Sequence, residues 1–390
     1  MSDSLEVTVV GAGVIGTAVA HVLARQGREV FVIEKNPGVT QGENQSSRNS
    51  GVIHAGLYYD QATRPSKAKL CAAGNKLIYE FCRRFDLPHK ACGKLVVATK
   101  QEDLPAMERY QARAAENGVP CEKLSGNEAR EREPLVNALA ALWLPTSGII
   151  DPTAFLHQLY ALASSDGAQF LTHTEVIAAR PEPEGIRVTL RYRDGATDEF
   201  LTQRLINCAG LYSDEIARLV NPDSPYLIDP MRGEAACFYR NKRPELAMGD
   251  LNIYPTPYQV QMPGGTYWTV GVHLTPTLET LPDGMVHTGS TVTVGPLNIA
   301  AHDKEHYGGE YRPMAEFHGR VAGFFPGLKV EDLQPYQAGI QARLAGHQDW
   351  VMEYDPKHPA CLNLLGFDSP GLTGSLAIAE EVKEKLSLPL

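Results

Sequence analysis

Residues 5–34, LEVTVVGAGVIGTAVAHVLARQGREVFVIE, read as strand, glycine turn, helix, glycine stop, strand and acidic end. Val7, Val9 and Val10 are β-branched and suit a strand. Val14, Ala18 and Val22, with Ile15, Val19 and Leu23 beside them, give the following helix an apolar face. Gly27 ends that helix, and Val30, Val32 and Ile33 begin a second strand. Between the first strand and the helix, Gly11, Gly13 and Gly16 form G-x-G-x-x-G. The first glycine permits the turn, the second lets a pyrophosphate approach the backbone, and the third lets helix and strand pack closely. The N–H groups at the helix start then face an anion. Glu34, 23 residues after Gly11, stands where a carboxylate accepts hydrogen bonds from ribose hydroxyls. This context predicts dinucleotide binding, and the fingerprint leaves NAD and FAD equally open.

The rest of the chain sets bounds. Its 390 residues are enough for two domains or one elaborated α/β unit. A net charge of −10 with no basic run argues against a nucleic-acid partner. Seven scattered cysteines, odd in number and never in C-x-x-C spacing, suit a reducing compartment and no zinc cage. No apolar run approaches the ~20 residues of a membrane helix. The expectation is a cytoplasmic protein, with weak peripheral association with the inner membrane left open.

After the opening unit, residues 68–86 and 102–117 read as helices. Residues 168–210 alternate as an antiparallel meander with turns near Pro181–Gly185 and Asp194–Gly195. Residues 226–300, rich in tyrosine, proline, glycine and β-branched residues, read as a second, sheet-based part. LINCAGLYSD at 205–214 and LLGFDSPGLTGSLAIAEEV at 364–382 each repeat the order strand, glycine turn, helix start. His302 and His306 are four apart, as metal ligands on a helix would be, but the stretch is charged and lacks a third ligand. No metal is expected. No G-x-S-x-G elbow follows a strand, which argues against a serine hydrolase.

In order along the chain, QSSRNSGVIHAGLYY, SKAKLCAAGNKLIYEFC, CGKLVVATK, GNEAREREPLV, SGIIDP, LINCAGLYSD, MRGEA, NIYPTP and VGVHLTP resemble the L-2-hydroxyglutarate dehydrogenase/oxidase family. That family is a branch of the FAD-dependent oxidoreductases related to D-amino-acid and glycine oxidases. The resemblance implies FAD as cofactor, covalently attached or not. It also implies an α/β fold (α+β overall): a Rossmann-like FAD-binding domain from 1–88, 148–225 and 334–390, and a mixed-sheet substrate-binding domain from 89–147 and 226–333. By the same resemblance the cofactor meets Gly11, Gly13, Val14, Ile15, Gly16, Glu34 and Lys35. It then meets the loop Ser46, Ser47, Arg48, Asn49, Ser50, Gly51 and Val52, followed by Val176, Ala209, Gly210 and the late turn Leu372, Thr373, Gly374 and Ser375. Two departures stand out: the family's loop often carries histidine where this chain has Arg48, and the segment 276–303 lengthens the approach to a GP-N element.

Oxidising a 2-hydroxy acid removes a hydride from the carbinol carbon and a proton from its hydroxyl, so the site needs a redox group, a base and cations for carboxylates. His54 is the first candidate base and His273 the second, because an ordinary imidazole titrates near neutral pH. Arg343, Lys69 and Arg232 are candidate carboxylate partners, and Tyr254 a candidate hydroxyl donor. The activity so implied converts L-2-hydroxyglutarate to 2-oxoglutarate, with a quinone, oxygen or another carrier as electron acceptor. The alternatives are an FAD-dependent amino-acid or amine oxidase, an oxidase of another 2-hydroxy acid, a nicotinamide dehydrogenase, and a binding protein that retains a nucleotide without redox turnover.

Overall fold

A computed structural model describes residues 4–246, 248–262, 265–281 and 284–387, apart from the side chains of 260–267. The opening unit forms as its pattern requires. The strand Ser4–Val10 leads into the helix Val14–Ala24, and the strand Val30–Ile33 lies parallel to the first. Gly27 ends the helix at φ +80°, a left-handed conformation that costs glycine little. Thr197–Asn207 pairs with the other edge of Ser4–Val10, and Gln169–Leu171 with Val30–Ile33, both in parallel. Cys361–Leu365 continues the parallel sheet beyond Thr197–Asn207. The meander Thr174–Glu182, Gly185–Tyr192 and Thr197–Asn207 is antiparallel, as its alternation predicts.

One face of this sheet is covered by the helices Val14–Ala24, Pro65–Arg84, Pro152–Ser165 and Gly371–Ser387. Their shared core includes Leu23, Ile78, Phe155, Ile378 and Val382. Ser213–Val220 lies with the meander, where Ile216 and Val220 join Val188 and Leu205. The contact of Pro65–Arg84 with Gly371–Ser387 depends on Gly74, since a Cβ there would lie 2.2 Å from the carbonyl oxygen of Thr373.

Among the described residues the second sheet has eight strands, and its internal order brings distant segments together. Ile228–Tyr239, Val286–Ala300, His273–Thr280 and Asn252–Pro255 are joined in antiparallel pairs. Asn252–Pro255 then pairs in parallel with Lys94–Ala98, which continues through Ala140–Leu144 to Glu122–Ser125. Gln334–Leu344, grouped from sequence with the nucleotide-binding part, is instead hydrogen-bonded along Ile228–Tyr239 in this second sheet. A small sheet of Val52–Ile53, Gly148–Ile150 and His89–Lys90 stands between the two. The helix expected over 68–86 begins earlier, at Pro65, whose fixed φ suits a first helical turn. The one expected over 102–117 is Leu104–Glu116 after a short 3₁₀ turn. Among the described residues no helix is long and apolar enough to cross a membrane.

Candidate active site

A cavity of about 1400 Å³ starts at the glycine turn and extends between the two large sheets. At the turn, Gly11 has φ +99°, and a Cβ on Gly16 would stand 1.9 Å from the Gly11 carbonyl oxygen. The motif is therefore required for the helix to close on the strand, leaving the backbone of Gly11 and Gly13 on the cavity wall. Glu34 is buried at the end of the second strand and accepts from the N–H groups of Ala12 (2.7 Å) and Asn36 (2.8 Å). Burial raises its carboxyl pKa, and these two bonds oppose the rise. Lys35, also on the cavity wall, pairs with Glu305 (3.1 Å) and lies 3.4 Å over the Tyr212 ring.

The loop after the second strand is more self-contained than its polar composition suggests. Ser46 Oγ accepts from the N–H of Val14 at 2.9 Å, so the loop docks on the start of the first helix. Ser47 bonds Asn44 through both its N–H and its hydroxyl, and Arg48 reaches Glu43 at 2.7 Å. Asn49 donates to the Ser46 carbonyl and accepts from the Gly51 N–H, while Gln337 donates to the Asn49 carbonyl. A Cβ on Gly339 would come within 2.2 Å of the Arg48 carbonyl oxygen, so the second sheet presses directly on this loop. Ser46, Arg48, Asn49, Ser50 and Val52 line the cavity, as do Val14, Ile15, Val176, Ala209, Gly210, Leu372 and Thr373. Ser47, Gly51, Gly374 and Ser375 lie behind the wall: Gly51 backs onto the Ile150 carbonyl, Gly374 onto Trp350, and Ser375 donates to the Leu372 carbonyl.

Both candidate histidines line the same cavity. His54 is fixed through its backbone, its N–H donating to Thr373 Oγ1 (3.0 Å) and its carbonyl accepting from Asn75 Nδ2 (3.0 Å). Its ring Nε2 is 3.3 Å from Ser369 Oγ, and its buried Nδ1 has no partner among the described residues. His273 Nδ1 lies 2.8 Å from the Gly271 carbonyl oxygen. A carbonyl only accepts, so Nδ1 carries the proton, and the buried, unpartnered Nε2 presents a lone pair. The His273 ring stacks on Tyr254, centroids 3.7 Å apart at 13°. Burial pushes the pKa of His273 down to about 3, and burial followed by Lys94 and His273 pushes that of His54 well below the ordinary value. Two neutral imidazoles thus share the chamber at pH 7.

Behind Tyr254 lies Lys94, its Nζ 3.8 Å over that ring and 5.6 Å from the centre of the Tyr58 ring. Only 1% exposed, it has its pKa lowered to about 7 by burial. Lys94 is not among the candidates that motif or resemblance singles out, although a lysine heading the apolar strand KLVVA is a visible anomaly.

The expected carboxylate partners separate. Arg343 and Tyr254 line the cavity. Lys69 does not: its side chain is 67% exposed and meets Glu381 at 2.6 Å. On a helix, residues two apart point to opposite sides, and it is Lys67 that shares the inward stripe with Leu70, Cys71, Gly74 and Ile78. Lys67 lines the cavity and pairs with Asp368 at 2.8 Å; Arg343 Nε stands 4.0 Å from the same carboxylate. Arg232 is also absent from the wall. On its strand Gly233 and Ala235 face the cavity, and alternation sends Arg232 to the other side. There it is fully buried, 3.1 Å from Glu234, and donates to the carbonyls of His306 and Gly308. The rings of His302 and His306 lie 4.4 Å apart, tilted by 33°, and among the described residues no group of three or more His, Cys, Asp or Glu side chains could hold a metal ion.

The cavity suits FAD on two structural grounds. The bare backbone of Gly11 and Gly13 lies on the wall at the helix start, and the volume exceeds the roughly 300–1000 Å³ of an ordinary small-molecule pocket. Comparison with known proteins points the same way. The family described as FAD dependent oxidoreductase matches residues 6–385. The mitochondrial L-2-hydroxyglutarate dehydrogenase of Arabidopsis thaliana is 29% identical over 424 residues, covering 98% of this chain and 83% of that protein. The L-2-hydroxyglutarate dehydrogenase of Escherichia coli K12 is 27% identical, covering 97% and 92%. Among solved structures, the dithionite-reduced L-α-glycerophosphate oxidase of Mycoplasma pneumoniae with FAD bound aligns with a TM-score of 0.83 at 25% identity, covering 99% of this chain and 96% of that one. Glycine oxidase from Bacillus cereus shares the fold, with a TM-score of 0.76 at 16% identity over 98% of this chain and 97% of that one.

Proposed function

Since the chain belongs to the FAD dependent oxidoreductase family and is an enzyme that works with FAD, we propose that it oxidises L-2-hydroxyglutarate to 2-oxoglutarate. The observation that carries this reading is the pair of buried neutral imidazoles, His54 and His273, on the wall of the cavity that begins at the glycine turn. Bound FAD supplies the hydride acceptor, at its N5. The turn Gly11–Gly16, Glu34 and the loop from Ser46 to Val52 hold its nucleotide and ring portions. His54 accepts the substrate hydroxyl proton as general base; the free lone pair of His273 Nε2 makes it the second candidate. Arg343 holds a substrate carboxylate, and Tyr254, whose ring stacks on His273, is the candidate hydroxyl donor to the substrate. The nucleotide-binding part comprises 1–88, 148–225 and 334–390, and the substrate-binding part 89–147 and 226–333; the strand Gln334–Leu344 of the first joins the sheet of the second. A quinone, oxygen or another carrier takes the electrons away.

The test is spectroscopic. Purified holoprotein, kept free of oxygen, should lose its yellow colour on addition of L-2-hydroxyglutarate. If it stays oxidised with that substrate yet bleaches with glycine or a D-amino acid, the amine-oxidase reading replaces this one.

A further inference from the structure

Most cations on the cavity wall are already matched. Lys67 meets Asp368 at 2.8 Å, Arg113 meets Asp60 at 2.8 Å, Arg48 meets Glu43 at 2.7 Å, and Lys35 meets Glu305 at 3.1 Å. Arg343 stands beside Asp368. Arg64 differs. It precedes the helix Pro65–Arg84, and its hydrogen-bond partner is uncharged: Nη2 donates to the Tyr58 carbonyl at 2.9 Å. Its guanidinium lies 5.8 Å from the centre of the Tyr59 ring, and its Nε is buried with no hydrogen-bond partner among the described residues.

The position of Arg64 ties it to the chemistry. Arg64 lies beside the Tyr59 ring, and Ser369, on the same wall, has its Oγ 3.3 Å from His54 Nε2. His54, Tyr59, Arg64 and Ser369 are all on the cavity wall. An arginine with an unmatched charge and an unsatisfied buried N–H is costly unless a ligand completes it. A carboxylate does so well, since its two oxygens match the guanidinium fork.

Resting on the proposed 2-hydroxy-acid oxidation, we propose that Arg64 is the residue that reads the distal carboxylate of the substrate and so selects diacids over monoacids. Arg343 remains the partner of the carboxylate next to the reacting carbon. Arg64 sets specificity and takes no proton.

The experiment uses FAD-loaded wild type, Arg64→Met and Arg64→Lys. Dissociation constants for 2-oxoglutarate are read from the change in flavin absorbance, without turnover. Anaerobic flavin reduction is followed with L-2-hydroxyglutarate and with L-2-hydroxypentanoate, which carries a methyl group in place of the distal carboxylate. Arg64→Met should weaken 2-oxoglutarate binding by about 30- to 1000-fold, the loss typical of removing one partner of a buried charged hydrogen-bonded pair. Reduction by L-2-hydroxypentanoate should change by less than about threefold, and Arg64→Lys should fall between for the diacid. Equal losses for diacid and monoacid, or unchanged diacid binding in both variants, would overturn the role of Arg64 while wild-type bleaching leaves the substrate reading intact. Wild type that does not bleach with L-2-hydroxyglutarate would overturn the reading on which this inference rests.

Discussion

Replacing Lys94 by methionine should stabilise the protein, and more so at pH 6 than at pH 10. Methionine keeps most of the aliphatic bulk, so the comparison isolates the ammonium. Lys94 is almost wholly buried, and burial lowers its pKa from 10.5 to about 7, against the smaller opposing pulls of Cys71 and Cys92. A base whose folded pKa lies below its unfolded one binds protons more weakly in the native state. The full cost is therefore present below pH 7, shrinks between pH 7 and 10.5, and vanishes above. At about 1.4 kcal/mol per pH unit, the displacement from 10.5 to about 7 amounts to about 5 kcal/mol. That is the gain expected at pH 6. With about 2.1 cal/mol/K of unfolding entropy per residue over 390 residues, it corresponds to a rise in Tm of about 6 °C. Thermal scans of both holoproteins at equal FAD concentration, at pH 6 and pH 10, measure it; buried tyrosines and cysteines that titrate at high pH occur in both proteins and drop out of the difference. A variant less stable than wild type at pH 6, or a gap of equal size at both pH values, would refute the claim that an uncompensated buried cation sits behind Tyr254.

Changing His54 to alanine should slow flavin reduction by about 10²- to 10⁴-fold; stopped-flow traces that fall less than threefold would move the base to His273. Both imidazoles have pKa values held below the ordinary 6.5, so the reductive rate should persist at pH 6 and decline only at lower pH as the base protonates; an inflection at or above pH 6.5 would contradict this. Gly16→Ala places a methyl group 1.9 Å from the Gly11 carbonyl oxygen, and the purified variant should carry much less than one equivalent of flavin per chain by absorbance. Full occupancy would mean that the turn can open without loss of the cradle.

The nucleotide-binding end was legible in the chain because its causes are local. The valines of Ser4–Val10, the glycines of the turn, the apolar stripe of Val14–Ala24 and the acid at position 34 lie within 31 residues, and each acts on its near neighbours. His54, His273, Tyr254 and Arg343, singled out by their chemistry, all line the cavity. Lys69 and Arg232 lie off the cavity wall because of the direction of their side chains. Lys67 and Lys69 are alike in composition, and only the packing of Pro65–Arg84 against Gly371–Ser387 decides which one faces inward. Arg232 was lost to strand parity, since the neighbours that line the wall are Gly233 and Ala235.

Lys94 shows the division most plainly. Its strand pairs in parallel with Asn252–Pro255, more than 150 residues away in the chain, and that register brings Tyr254 over its ammonium and His273 onto the far face of the ring. Propensity and periodicity act over a few residues, so the chain alone determined the glycine cradle and the identity of the reactive groups. Burial, charge compensation and the proton affinity of each group are set by whatever lies across from it, and the pairing of distant strands decided those.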